Sequence, residues 1–156
     1  MVSTTNRYHI LNLHLTMLSI HPYLVFPGTC EEAFTYYNKV FASENLYIGH
    51  YKDAPPEAKS AFPNANDEHV MHATLQIDEK TVIMGNDSAD IQAEHIAPAR
   101  DFYLYLDAGN ANNATRIFNE LSVGGKVIMP IVQTFWASSY GIVTDKFGIN
   151  WKITAH

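Results

Sequence analysis

A chain of 156 residues has the length of one domain with a core of its own. Apolar residues make up 47% and charged residues 17%, which places it among ordinary globular chains rather than disordered ones. The formal net charge of −6 argues against nucleic acid and against a polybasic membrane contact, while a lone cysteine, Cys30, rules out an internal disulfide and a cysteine-rich zinc site and fits a reducing cytoplasm.

Residues 1–16 precede a second methionine, Met17, and read as an extension outside the domain. They are too short and polar to span a membrane and lack the continuous apolar stretch of a signal peptide. Residues 21–26 then alternate as a strand. A helix follows at 31–40, with Thr29 or Cys30 at its cap and Ala33, Phe34, Tyr37 and Val40 on one face. Glu31 and Glu32 suit the positive end of its dipole. Cys30 at that start is either a stabilised thiolate or a small buried residue. Strands are predicted at 45–51, 70–77 and 81–86, with 52–68 as a long Pro- and Asn-rich loop. Residues 87–100 read as a link.

The pattern then repeats at an offset of about eighty residues. Residues 101–106 form a strand, and 112–121 form a helix with Ala114, Ile117, Phe118 and Leu121 on its apolar face. Strands follow at 126–132, 138–144 and 149–155. The sum is βαβββ twice, in modules of about 17–88 and 100–156 within a single domain, 17–156. The expected class is α+β, with the two modules forming an eight-stranded, barrel-like concave sheet and the helices outside.

Strand parity assigns faces. Met71, Ala73, Leu75 and Ile77 form an apolar row, and His72, Thr74 and Gln76 a polar one that lines a hollow or meets solvent. Leu24 and Phe26 match Leu104 and Leu106 in phase. His21, Tyr23 and Val25 fall on the other side with Asp101, Tyr103 and Tyr105. Lys152, Thr154 and His156 lie opposite Trp151 and Ile153, which makes Trp151 a core residue.

His72 is the sharpest candidate for chemistry, as a general base beside Asp87 or Asp101; the alternative is a structural histidine bonded across the sheet. His69 points to the opposite face and cannot share a metal with it. Tyr23, Tyr103 and Tyr105 would give a hollow an aromatic, hydrogen-bonding wall, or equally a dimer interface. Phe135 and Trp136 would cap its mouth or close it as core. Asp87 either meets a ligand or caps the link. Asp145-Lys146 reads as a solvated turn.

The run from Trp136 through Gly141, Val143-Thr144-Asp145, Phe147-Gly148 and Trp151, together with His72-Ala73, Ile83-Met84 and Asp87, resembles the PhnB-like branch of the vicinal oxygen chelate superfamily, alongside glyoxalase I and the bleomycin-resistance proteins. That resemblance covers nearly everything from Met17 onward. It implies a homodimer with a small-molecule ligand and, in metal-dependent relatives, four ligands at positions matching His21, Met84, Asp101 and Thr154. His21 and Asp101 suit a divalent metal ion, whereas Met84 and Thr154 do not, so no tightly bound cofactor is expected. Members are often labelled demethylubiquinone methyltransferases, yet no G-x-G-x-x-G follows a strand here. Two functions remain: a binding protein with a degraded metal site, or a lyase, isomerase or dioxygenase acting on vicinal oxygens through a weakly held cation. A metal-free enzyme using His72 as base is a third.

Overall fold

The computed structural model describes residues 19–89 and 102–156. The expectations for residues 1–16, for most of the link and for Asp101 lie outside them. The first module runs β1 (Tyr23–Phe26), α1 (Cys30–Phe41), β2 (Asn45–His50), α2 (Pro56–Ala61), β3 (Val70–Gln76) and β4 (Val82–Asp87). The second runs β5 (Leu104–Asp107), α3 (Ala111–Ser122), β6 (Lys126–Val132), β7 (Ser139–Thr144) and β8 (Asn150–Ala155). The predicted loop 52–68 holds a 3₁₀ turn, Tyr51–Asp53, and then α2, which starts on Pro56 where a missing N–H costs nothing.

Both modules wind identically. The sheet orders are β1-β4-β3-β2 and β5-β8-β7-β6, with the first strand of each module parallel to its last. Leu24 and Phe26 are buried while Tyr23 and Val25 are exposed, as period-two alternation requires. Helix α1 buries Cys30, Ala33, Phe34, Tyr37 and Val40, and α3 buries Ala114, Ile117, Phe118 and Leu121. These are two single apolar stripes. At Gly85 of β4 the ring of Phe34 on α1 lies directly against the backbone. A Cβ there would sit 2.7 Å from both the Leu24 carbonyl oxygen and Phe34 Cε2, so no side chain fits.

The eight strands do not close into one barrel. They remain two four-stranded sheets, and the helices lie between them rather than outside. Helix α1 packs on β3 of its own sheet, and Tyr37 and Phe41 also meet Trp151 of β8, at 5.8 and 5.6 Å between ring centroids. Trp151 is on the buried side of its strand, next to the stripe of α3. The inner faces of both sheets therefore share one helical layer, and their outer faces look away from each other. The seam is sealed by long-range contacts. Phe147 stacks edgewise on Phe26, 6.3 Å away, and on Tyr37, 5.9 Å away. Tyr36 donates to the Glu120 carbonyl, and Arg116 donates to the Val40 carbonyl at 2.9 Å.

The Asp145-Lys146 turn is not simply solvated. Asp145 is 3% exposed. Its Oδ1 accepts from the Phe147 and Ile149 amides at 2.9 and 3.0 Å, as a turn aspartate does. Its Oδ2 accepts from the Tyr37 hydroxyl at 2.7 Å and Trp151 Nε1 at 2.9 Å. Burial, and then the neighbouring Asp145 charge, push the Tyr37 hydroxyl well above its ordinary pKa. Only Lys146 faces out, where its Nζ meets Glu32 at 2.6 Å.

Candidate functional site

The open face of the first sheet is built from one residue in two along four strands. Tyr23 sits opposite Met84 on β4, Met84 opposite Thr74 on β3, and Thr74 opposite Tyr47 on β2. His72 lies one step along this face, half-buried, across from Gly49. The Tyr23 hydroxyl lies 3.2 Å from His72 Nδ1, and His72 Nε2 lies 2.9 Å from Thr74 Oγ1. Partial burial raises the Tyr23 hydroxyl above its ordinary pKa, so it is a neutral donor near pH 7. With Tyr23 donating to Nδ1, a neutral imidazole carries its proton on Nε2 and donates to Thr74. That arrangement is a short chain of proton-carrying groups open to a ligand. Tyr47 folds back over Gly49, where a Cβ would meet its hydroxyl at 2.7 Å, and its ring centroid is 6.5 Å from that of His72. A shallow cavity of about 320 Å³ opens beside Tyr47, Thr74 and Gln76. Asn86 is on the same strand face as Met84, and its Oδ1 is buried without a hydrogen-bond partner.

The open face of the second sheet is aromatic. Tyr105 pairs with Lys152, and Lys152 with Ile142, across β5, β8 and β7. Lys152 Nζ lies 4.7 Å above the Tyr103 ring. Trp136, in the β6–β7 loop, packs edgewise on Tyr140 at 5.6 Å and on Phe135 at 4.5 Å. Tyr47 and Tyr105 are each 60% exposed, Trp136 49% and Phe135 96%, which is unusual for such large apolar surfaces.

Of the residues singled out by pattern, Tyr23 and His72 are brought together on the first face, and Tyr103, Tyr105 and Trp136 are gathered on the second. Asp87 is not beside His72. It is 1% exposed and accepts from three backbone amides, Gly28 and Cys30 through Oδ1 and Val70 through Oδ2, each at 2.9 Å. It caps α1 in place of Thr29, whose side chain makes no capping bond. Burial, and then the neighbouring Asp87 charge, push the Cys30 thiol above its ordinary pKa. Cys30 is therefore a core residue rather than a thiolate. In the folded protein it should stay unreactive toward Ellman's reagent at pH 8 and react only at the rate of global opening; a fast stoichiometric reaction would show otherwise. His69 is removed from His72 and rests against Gly28.

Within one chain the described members of the implied metal set do not converge. Thr154 is fully buried, with its hydroxyl 3.3 Å from the Ser139 carbonyl, and it belongs to a different sheet from Met84 and the His21 end of β1. A thioether and a buried, engaged hydroxyl do not fit a divalent-metal site, and Asp101 lies outside the described residues. Among the described residues no three His, Cys, Asp or Glu side chains cluster as metal ligands. Pattern reading passed over Tyr47, Asn86 and Tyr140, which strand alternation alone would have placed on these faces, and it put Lys152 on its face without a role.

Two βαβββ modules of this kind form an α+β fold of the vicinal oxygen chelate type, and the same fold recurs in solved structures of a glyoxalase-related enzyme from Fulvimarina pelagi and a glyoxalase/bleomycin resistance protein/dioxygenase family enzyme from Burkholderia phytofirmans. Residues 18–154 match the family described as 3-demethylubiquinone-9 3-methyltransferase, and the chain belongs to that family. It is 32% identical to Protein YjdN of Escherichia coli K12 over 142 residues, 87% of this chain and 94% of that protein. The crystal structure of protein PA1353 from Pseudomonas aeruginosa superposes with a TM-score of 0.76 at 32% identity, covering 90% of this chain and 98% of the other. A PhnB protein of Bacillus cereus, itself called a 3-demethylubiquinone-9 3-methyltransferase, shares the fold with a TM-score of 0.65 at 22% identity, covering 89% of this chain and all of the other (100%).

Proposed function

We propose that this is a cytoplasmic small-molecule binding protein whose hollow is completed by a second copy of the chain. One observation carries the reading: the two polar, aromatic sheet faces lie on opposite sides of the helical layer, so within one chain they never oppose each other. Setting the first sheet of one copy against the second sheet of another would enclose a ligand between Tyr23, His72 and Tyr47 on one wall and Tyr105, Tyr140 and Trp136 on the other. The same step would cover the exposed rings.

The family's description suggests methyl transfer. Against a nucleotide-type methyl donor stands the condition of the N-termini of the two long helices, α1 and α3, the usual anion cradles of such sites. At α1, Asp87 already occupies the Gly28 and Cys30 amides. At α3, Asn110 Oδ1 occupies the Asn113 amide and Asp107 the Gly109 amide, both at 2.9 Å. A metal-dependent lyase, isomerase or dioxygenase is disfavoured by the donor set. The hydrogen-bonded line Tyr23–His72–Thr74 supports a second reading, metal-free proton transfer to or from a bound ligand with His72 as base.

Sedimentation equilibrium and titration with the neutral aromatic dye N-phenyl-1-naphthylamine test the proposal. A dimer that binds the dye is expected, with Tyr105→Glu giving a folded monomer that binds it at least tenfold more weakly. A wild-type protein that is monomeric at about 100 µM, far above the Kd of a stable dimer, would end this reading.

A further inference from the structure

We infer that the ligand of this hollow is an aromatic anion and that Lys152 holds its charge, an inference that rests on the two-copy hollow proposed above. Lys152 is not at a strand end or a sheet edge. It occupies the middle of the second sheet's open face, between Tyr105 and Ile142, on the inner strand β8. Its ammonium lies over the Tyr103 ring and joins none of the ion pairs among the described residues. Lys146, by contrast, has Glu32, and Lys52 has Glu68.

Among the described residues the strands give Lys152 no counter-charge. Across all eight, the only acidic residues are Asp87 and Asp107. Asp87 is buried on the helix side and bonded to three amides. Asp107 ends β5 beside Thr154, and its carboxylate is turned into the following turn, onto the Gly109 amide. The strand residues on the open face of the first sheet, which would oppose Lys152 in the closed hollow, are Tyr, His, Thr, Gln, Asn, Met and Val; a carboxylate, Glu44, stands only before the start of the edge strand β2, bordering the cavity beside Tyr47. Covering Lys152 with that face would desolvate an ammonium against neutral groups, and a contact with one tyrosine ring offsets only part of that cost. A ligand that brings its own carboxylate, sulfonate or phosphoryl oxygen restores the balance. Tyr105 beside Lys152, and Tyr140 and Trp136 further along the sheet toward the end of β8, provide ring faces for the rest of such a molecule.

The test uses two dyes that differ by one group, N-phenyl-1-naphthylamine and its sulfonate, 8-anilinonaphthalene-1-sulfonate, titrated fluorimetrically into the full chain at about 0.1 M salt, where long-range charge effects are screened. The sulfonate is expected to bind at least tenfold more tightly than the neutral dye. Lys152→Gln should abolish that preference while leaving neutral-dye affinity within twofold, and Lys152→Arg should restore it. Circular dichroism would establish that both variants are folded. Equal affinity for the two dyes in the wild type, or a preference that survives Lys152→Gln, would overturn the role of Lys152 while leaving the aromatic hollow standing. Binding of neither dye would remove both the hollow and its charge.

Discussion

Asp145→Ala is expected to cost about 4 kcal/mol of stability, lowering Tm by roughly 12 °C for a chain of this size. The carboxylate has four donors, two turn amides, the Tyr37 hydroxyl and the Trp151 indole, and the last two lie in the core. Removing it leaves them buried without an acceptor. Tyr37→Phe takes away one donor with its acceptor still served by three others, so its cost should be near 1 kcal/mol. The pair reports pH as well. The folded-state pKa of Tyr37 is raised, so its contribution is complete below the unfolded value of about 10 and is lost as pH climbs from there toward the folded value. Urea denaturation at pH 7 and pH 11 should show wild type losing more stability than Tyr37→Phe. Equal losses, or an Asp145→Ala cost under about 1 kcal/mol, would mean the Asp145 carboxylate does not tie the two modules together.

The second large effect falls on Asp87. Asp87→Ala should cost about 3 kcal/mol, because three backbone amides in a closed corner lose their common acceptor and α1 loses its cap. Thr29→Ala is the control. Thr29 stands at the formal cap position but makes no capping bond, so its loss should stay within about 0.5 kcal/mol. If the two variants were equally stable by urea denaturation, the helix would be capped by solvent, and Asp87 would be free for the ligand role that its position after β4 suggests.

Much of the fold was legible because it is local. Alternation marks β3 as apolar at Ala73 and Leu75 and polar at His72 and Thr74, and the structure buries the first pair and opens the second. Apolar spacing of three and four marked both helices to within a residue or so of their ends. The echo between the halves then implied one topology twice, and the sheets obey it. Site residues were legible to the same depth. The strand faces of Tyr23, His72 and Tyr105 follow from parity, whereas the hydrogen bond between Tyr23 and His72 spans 49 residues and depends on β1 pairing with β4 beside β3.

Residue pattern alone settled the eight strands and the two long helices, though not α2 within the 52–68 loop, as well as the duplicated βαβββ order and which side chains share a face, since each of these depends on neighbours a few positions away. Tertiary packing alone decided that the helices lie between the sheets, that Asp145 is a buried tie to Tyr37 108 residues away, and that Asp87 serves amides 57 and 59 residues back along the chain. An aspartate in a turn and an aspartate in a core look the same in one dimension. What separates them is whether distant donors arrive, and that is set by how two independently patterned halves dock.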